Sequence, residues 1–280
     1  MSIITISRGT YSGGEALANC LADRLGYQRA SRKVIVEAAR TYGMSVEKLI
    51  EVMEETPSFW QRVAGESTTA LNYVRAALCV QAREGNLVYH GHAGHLLLTG
   101  ISHVIRVRVI ADMEFRIKAA MERLRLGRNE AIARIKQIDK ARARWTQFFY
   151  GVEWDDPSLY DVVLNLERMT IADACEIVAG MTKLDTFKPN PQSIKAMEDL
   201  TVGSLAWAAL NRDPRTAAAD VRVVADDGVV TVTGTTGSQA VVEAIPLVAG
   251  QVEGVKEVRC EVGIGSVYEP VRKPRGARIW

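Results

Sequence analysis

The chain has 280 residues, 48% of them hydrophobic and 24% charged, and a formal net charge of +2 at pH 7. The balance is that of an ordinary globular chain with apolar material for real cores, and the length suits two domains. So small a net charge excludes a partner chosen by bulk charge. No apolar run spans a bilayer, since Arg106 and Arg108 interrupt the best candidate. The start, Met1 to Ile6, has neither a basic region nor a cleavage site, which predicts a chain without a secretion signal and a cytoplasmic location. Cys20, Cys79, Cys175 and Cys260 form no CxxC and read as reduced thiols.

Ile3 to Ser7 is a β-rich run that stops at the turn-prone segment Arg8-Gly9-Thr10-Tyr11-Ser12-Gly13-Gly14. Leu17, Leu21 and Leu25 then repeat at helical spacing, and Gly26 closes that helix. Helices are expected over Val34 to Thr41, from a Ser45 cap to about Glu55 before Pro57, and around Leu71 to Ala82. Leu87 to His90 reads as a strand, Leu96 to Leu98 as part of a short helix, and Val104 to Ile110 as a strand. A helix carrying Phe115, Ala119 and Leu124 precedes a long basic one over about Glu130 to Phe149. Val162 to Leu164 is a last short strand and Ile171 to Val178 a last helix. Strands alternating with helices predict a parallel α/β sheet flanked by helices. Residues 185–193, with Pro189 and Pro191, read as a linker. Beyond it the order is α-β-β-α-β: a helix around Val202 to Leu210, a hairpin through Asp226-Asp227-Gly228, a helix from Gln239 to Val252 and a strand from Val255 to Val262. Residues 266–280 form a basic tail. The expected units are therefore 1–184, a linker 185–193, a small α+β unit 194–265 and the tail.

A glycine turn between a first strand and a helix presents backbone N–H groups and a positive helix end to phosphate. Gly9 and Gly14 have GxxxxG spacing, but Lys and Ser or Thr, which should follow, are replaced by Glu15 and Ala16. A tight strand–helix connection is the alternative. From Arg106 to Arg144 there are twelve Lys or Arg against five Asp or Glu, so this segment expects an anion. Confined as it is to one helical segment, that charge suits a nucleotide better than nucleic acid. His90, His92 and His95 have HxHxxH spacing, yet no Cys or carboxylate nearby completes a metal set, so no metal site is assigned and His92 is placed in a nucleotide cleft.

Ile4-Thr5-Ile6-Ser7-Arg8, Ser12-Gly13-Gly14 and Leu21-Ala22-x-x-Leu25-Gly26 resemble the opening of the cytidylate kinase-like family. Glu114-Phe115-Arg116-Ile117, Ile138-Asp139-Lys140-x-Arg142-Ala143-Arg144-Trp145 and Tyr160-Asp161-Val162-Val163-Leu164-Asn165 are similar to its later blocks, in order, over about Ile3 to Val178. The resemblance implies a P-loop kinase fold and transfer of the ATP γ-phosphoryl, with Mg²⁺, to a nucleoside monophosphate, CMP or dCMP foremost. It implies ATP phosphates on Arg8, Gly9, Thr10, Ser12, Gly13, Gly14 and Glu15. Arg123, Arg125, Arg128 and Arg134 would act as a catalytic lid. Arg32, Arg40, His92, Asp139, Arg142 and Arg144 would bind the acceptor. Relatives usually carry a basic residue at Glu15, Asp-Arg at Ser31-Arg32 and Gly-Arg at Gly91-His92. A second expectation is therefore a non-catalytic nucleotide-binding protein, and a third an interaction scaffold. Ala225 to Gly234 and Val252 to Val258 resemble the BON domain, which implies membrane or ligand binding; with no secretion signal expected, a regulatory or oligomerising role stands beside it, and no catalytic set is seen. The expected partners are small nucleotides, with no nucleic acid, no stable membrane insertion, and an effector or a second copy at the BON-like module.

Overall fold

The computed structural model describes residues 2–54 and 64–265. The break expected at Pro57 and the basic tail lie outside the described residues. Five strands, β1 Ile3–Arg8, β2 Gln28–Ala30, β3 Leu87–Tyr89, β4 Val104–Ile110 and β5 Val162–Asn165, form one parallel sheet in the order β2-β3-β1-β4-β5. Parallel neighbours need crossovers, and helices supply them. The described helices of this part are α1 Gly14–Leu25, α2 Arg32–Tyr42, α3 Val46–Glu54, α4 Ala64–Ala82, α5 Gly94–Leu97, α6 Met113–Leu124, α7 Arg128–Tyr150 and α8 Ile171–Met181.

The β-branched run of β1 makes it the central strand, buried on both faces. On one face Ile4, Ile6, Val88, Val107 and Val109 pack against Leu17 and Leu21 of α1 and Val178 of α8. On the other, Ile3, Leu87, Tyr89 and Val104 pack against Val34 of α2, Val74 and Leu78 of α4 and Trp145 of α7. β2 was not expected: three residues, two of them exposed and polar, carry no period to detect.

The C-terminal part departs from expectation at its first element. Helix α9 runs Pro191–Arg212, so the expected helix begins eleven residues earlier, inside the segment read as linker. Asn190 caps it by accepting from Ser193 N–H at 2.8 Å, and Pro191 stands at its first position, where its missing N–H costs nothing. Strands β6 Asp220–Asp226 and β7 Val229–Thr236 pair through a two-residue Asp227-Gly228 turn, both residues at positive φ as a type I′ hairpin requires. Helix α10 Gln239–Ala249 carries the chain over to β8 Glu257–Ile264, which lies parallel to β7.

α9 serves two cores. Met197 and Ala208 join the core that holds α2 and α4. Val202, Ala206 and Leu210 instead join Val223, Val230, Val232 and Ile245 of the small sheet and α10. The Thr69 hydroxyl of α4 donates to Asn211 Oδ1 at 3.4 Å, and Cys79 Sγ lies 3.8 Å from Ser204 Oγ. All four cysteines are free thiols.

Candidate active site

The loop Gly9–Gly13 leaves the C-terminal end of β1, where β3 and β2 lie on one side and β4 and β5 on the other. Such a switch point is where open α/β sheets hold ligands. Gly13 takes φ 91°, a left-handed conformation, and no side chain caps α1, so the first-turn N–H groups face whatever the loop holds. Ser12 is turned inward, its hydroxyl donating to Gly9 O at 2.8 Å and to Val109 O at 3.2 Å. Arg8 folds across the start of α1, close enough that a Cβ on Gly14 would stand 2.7 Å from Arg8 Cδ.

α7 and α6 clamp this loop. Asp139 Oδ1 accepts from Thr10 N–H at 3.1 Å and from the Thr10 hydroxyl at 2.6 Å. One turn along α7, Arg142 donates to Arg8 O and to Thr10 Oγ1, both at 3.2 Å. Arg116 of α6 donates to Thr10 O at 2.8 Å and pairs with the other Asp139 oxygen, while its guanidinium lies over Gly9. Asp139, Arg142 and Trp145 follow at spacings of three, so one face of α7 reaches the loop and the core together. Beside the loop a pocket of about 380 Å³ is lined by Gly9, Arg108, Arg116, Asp139, Lys140 and Trp154 among others. Arg108 is buried, donates to Trp154 O at 2.6 Å and stacks 4.5 Å from the Trp154 ring.

The local field is strongly positive. Burial, and then the neighbouring Arg142, pull Arg8 down to about 9. Burial followed by Arg8 and Arg142 pulls His90 down to about 3, and burial followed by Arg142 holds His92 well below the usual imidazole value. Glu15, in the first turn of α1, accepts from Arg123 of α6 at 2.6 Å, so the acidic residue at the lysine position has an arginine on it.

Of the residues nominated from sequence, Arg8, Gly9, Thr10, Ser12, Gly13, Gly14, Glu15, Arg123, Asp139 and Arg142 come together around the loop. His92 lies edge-on to Trp145 at 4.6 Å, facing Arg142 and Arg8. Arg128 forms a two-pronged pair with Glu114, and Arg125, Arg134 and Arg144 stand exposed along α6 and α7. Arg40 is 79% exposed and pairs with Glu37 one turn back; among the described residues nothing links it to the loop. Arg32 opens α2, but its side chain lies outside the described residues. Asp161 accepts from Arg106 N–H and guanidinium, which tethers β4 to the segment before β5. Sequence reasoning missed Arg116 and Arg108. Both left a signal: Arg108 as a charge inside an apolar strand, Arg116 as a member of the family-like block 114–117 in the basic segment; what the sequence hides is that Arg116 meets Thr10 and Asp139. Among the described residues no group of three or more His, Cys, Asp or Glu converges as metal ligands.

The family model described as "Cytidylate kinase-like family" matches residues 3–168, and that of the BON domain matches residues 199–265. The cytidylate kinase of Staphylothermus marinus is 25% identical over 179 residues, covering 64% of this chain and 94% of its own. That of Methanopyrus kandleri is 26% identical over 175 residues, covering 59% of this chain and 85% of its own. An uncharacterised protein of Eubacterium ventriosum, known from its crystal structure, superimposes with a TM-score of 0.50 at 19% identity, over 65% of this chain and 98% of that one, a likeness of fold. The parallel sheet with its glycine loop and flanking helices is a P-loop kinase-type fold, and the chain belongs to the cytidylate kinase-like family, with a BON domain as its C-terminal α+β unit.

Proposed function

We propose that the chain is a nucleoside monophosphate kinase that transfers the γ-phosphoryl of ATP to a pyrimidine nucleoside monophosphate, CMP or dCMP foremost. The observation that carries this reading is the glycine loop at the switch point, held between an uncapped helix start and three arginines, Arg8, Arg116 and Arg142. Phosphoryl transfer asks for positioning and positive charge more than for covalent help. The loop N–H groups and Arg8 hold donor phosphates, and Arg123 with its exposed neighbours on α6 and α7 closes over them. An acceptor phosphate oxygen attacks the γ-phosphorus in line while ADP departs. No general base is required, because the attacking oxygen is already anionic. Mg²⁺ offsets phosphate charge when it accompanies ATP. Ala16 has no hydroxyl to offer it, which leaves the oxygens of the Thr10 and Ser12 hydroxyls, whose protons are donated to Asp139 and Gly9 O, or water. His92, Asp139, Arg142 and Arg144 with Arg32 form the acceptor side. The catalytic unit is 1–184 and the BON-like unit 194–265, and α9, which opens the second, packs into the core of the first as well.

A second reading, a nucleotide-binding protein without turnover, is favoured by Glu15 in the first turn of α1, where repulsion with a donor phosphate must be offset by Arg123. ADP release from ATP and Mg²⁺, with CMP, dCMP, UMP, AMP and GMP offered separately, separates the two. Turnover with one pyrimidine nucleotide is expected. Silence from the natural chain with turnover in Glu15→Lys would establish the second reading. Silence in both, with no nucleotide-induced thermal shift, would sink both.

A further inference from the structure

The small sheet has two edge strands, β6 and β8. α9 lies against β6, so close that a Cβ on Gly203 would stand 3.3 Å from Ala225 N. β8 pairs with β7 on one side, and among the described residues no strand pairs with its other side. Every second N–H and C=O of such a strand points away from its neighbour, so β8 offers a row of donors and acceptors to another chain. Natural edges are blunted by an inward-pointing charge, a proline or a bulge. β8 has none of these: its register with β7 runs unbroken, and its core-side positions are Val258, Cys260, Val262 and Ile264. The apolar layer thins at this edge. Val230 and Val232 of β7 are 0% exposed, Val258, Cys260 and Val262 are only partly buried, and Ile264 is 60% exposed. On its outer face β8 carries Glu257, Arg259 and Glu261, with Arg259 Nε donating to Glu257 Oε1 at 2.8 Å.

We propose that β8 is the docking surface for a second copy of this chain, which adds its own β8 antiparallel across a two-fold axis at Cys260 and joins the two small sheets into one. The side chains fix the register. An axis normal to the sheet keeps the core faces of both copies on one side, so each residue meets one of its own face. With the axis at Cys260, Arg259 stands opposite Glu261 of the second copy, twice by symmetry, and Val258 stands opposite Val262 of the second copy. Pairing then extends from Glu257 to Gly263. An axis at Arg259 would set Arg259 against its own copy and Glu257 against Glu261, and an axis at Glu261 would set the two Glu261 carboxylates together. Opposite charges directly across antiparallel strands stabilise the pair and like charges destabilise it. A strand that complements itself in one register is what an isologous contact requires. Residues 266–280 include Pro270 and Pro274, which supply no N–H to a ladder, so they are the poorer occupant of this edge. The inference goes beyond the kinase reading and does not rest on it.

Directly opposed residues of antiparallel strands have Cα atoms about 4.5–5.5 Å apart, within the roughly 4.4–6.8 Å that a disulfide spans. The Cys260 thiols of two copies are therefore expected to join when the full chain is treated with diamide, which takes up the two protons and two electrons they release. A covalent dimer should appear on a non-reducing gel. Cys260→Ser should abolish it while leaving the partly exposed Cys20 as a control for adventitious linkage. Sedimentation equilibrium of the untreated natural chain should show a reversible dimer. Arg259→Glu sets like charges together at both symmetric pairs and should raise the dimer Kd by about tenfold or more. Arg259→Glu combined with Glu261→Arg restores the opposition and should restore the dimer. Both side chains are exposed, so these variants are expected to keep the fold. A chain that sediments as a monomer throughout, a dimer that still cross-links in Cys260→Ser, or one indifferent to Arg259→Glu would overturn the proposal. A loss in Arg259→Glu that the double variant leaves unrepaired would overturn the register. Slow amide exchange along the outer side of β8 in a monomeric chain would give the edge to residues 266–280 and overturn it too.

Discussion

Asp139 gathers three donors onto one carboxylate: the Thr10 N–H, the Thr10 hydroxyl and the Arg116 guanidinium. Charge-assisted bonds of this kind are the stronger ones, and a buried donor left without its acceptor costs about 1–3 kcal/mol. Asp139→Asn keeps the shape but turns an amide N–H toward Arg116 or Thr10, so a loss of about 1–3 kcal/mol is expected in the denaturant midpoint, with faster amide exchange at Thr10. An unchanged midpoint would mean the loop is held elsewhere. Arg142 makes two contacts to the loop, to Arg8 O and to Thr10 Oγ1. Removing one preorganised donor to a transferring group lowers turnover by about 10²-fold or more. Arg142→Ala should lower kcat by about that factor, read as ADP release at saturating ATP. Glu15 behaves differently. It is half-exposed, and its pair with Arg123 is a surface pair worth less than about 1 kcal/mol. Glu15→Lys should therefore melt within a few degrees of the natural chain, while its affinity for ATP rises as the carboxylate leaves the phosphates.

β3 and the turn after it show how a local sequence becomes a site. Tyr89 is buried between Gly91 and Gly94; a Cβ on either would stand 2.3 Å from the ring. Gly94→Ala must push that ring, and overpacking of this kind costs about 1–3 kcal/mol. A lowered melting temperature together with changed His90 and His92 ring resonances is the expected readout, since both neighbours are seated by the same turn. Acid should act on this element too. His90 and His95 are held down to about 3, His90 by burial with Arg8 and Arg142, His95 by burial with Arg106 and Arg108. Their folded values lie below the unfolded value near 6.5. The unfolded chain therefore binds more protons, and stability falls as pH drops from about 6.5 toward 3. The loss is on the order of 1.4 kcal/mol per pH unit for each ring. Urea midpoints between pH 7.5 and 5 should fall accordingly, and a flat profile would show the rings already charged in the fold. Elements of this kind were legible where a period or a punctuating residue exists. β4 stood out as a strand by its alternating character, the helix over Val34 to Thr41 by its apolar spacing, and the small hairpin by its Asp227-Gly228 turn. What stayed hidden is what packing decides. β2 is ordered by pairing with β3 at an edge, and Arg116 meets Asp139 only because α6 and α7 return over the loop. Pro191 spoke for a linker until Asn190 was seen capping the helix it opens.

At the scale of the whole chain, α9 determines how the two units behave together. The aligned 179 residues make up 94% of the Staphylothermus marinus relative, so that protein has little length left for a module like the C-terminal one here. In this chain α9 lies along α4, burying Met197 and Ala208 on that side and Val202, Ala206 and Leu210 on the other. Neither core can lose α9 without exposing apolar surface, and elements that share a buried layer unfold as one cooperative unit. Calorimetry of the full chain is therefore expected to give a single transition. Two well-separated transitions would show that the small sheet and the kinase-type sheet hold together independently. Ala208→Asp is the sharper test. Ala208 has no exposed surface and faces the first core, so a carboxylate there would be buried without a partner, a change that costs several kcal/mol. Because α9 belongs to both buried layers, the damage should pass to the small unit as well, giving one transition at a lower temperature, with nucleotide binding weakened along with it. A peak that splits, with the small unit keeping its own melting temperature, would mean that the two cores share α9 without sharing their stability, and the two sheets would then have to be treated as independent domains.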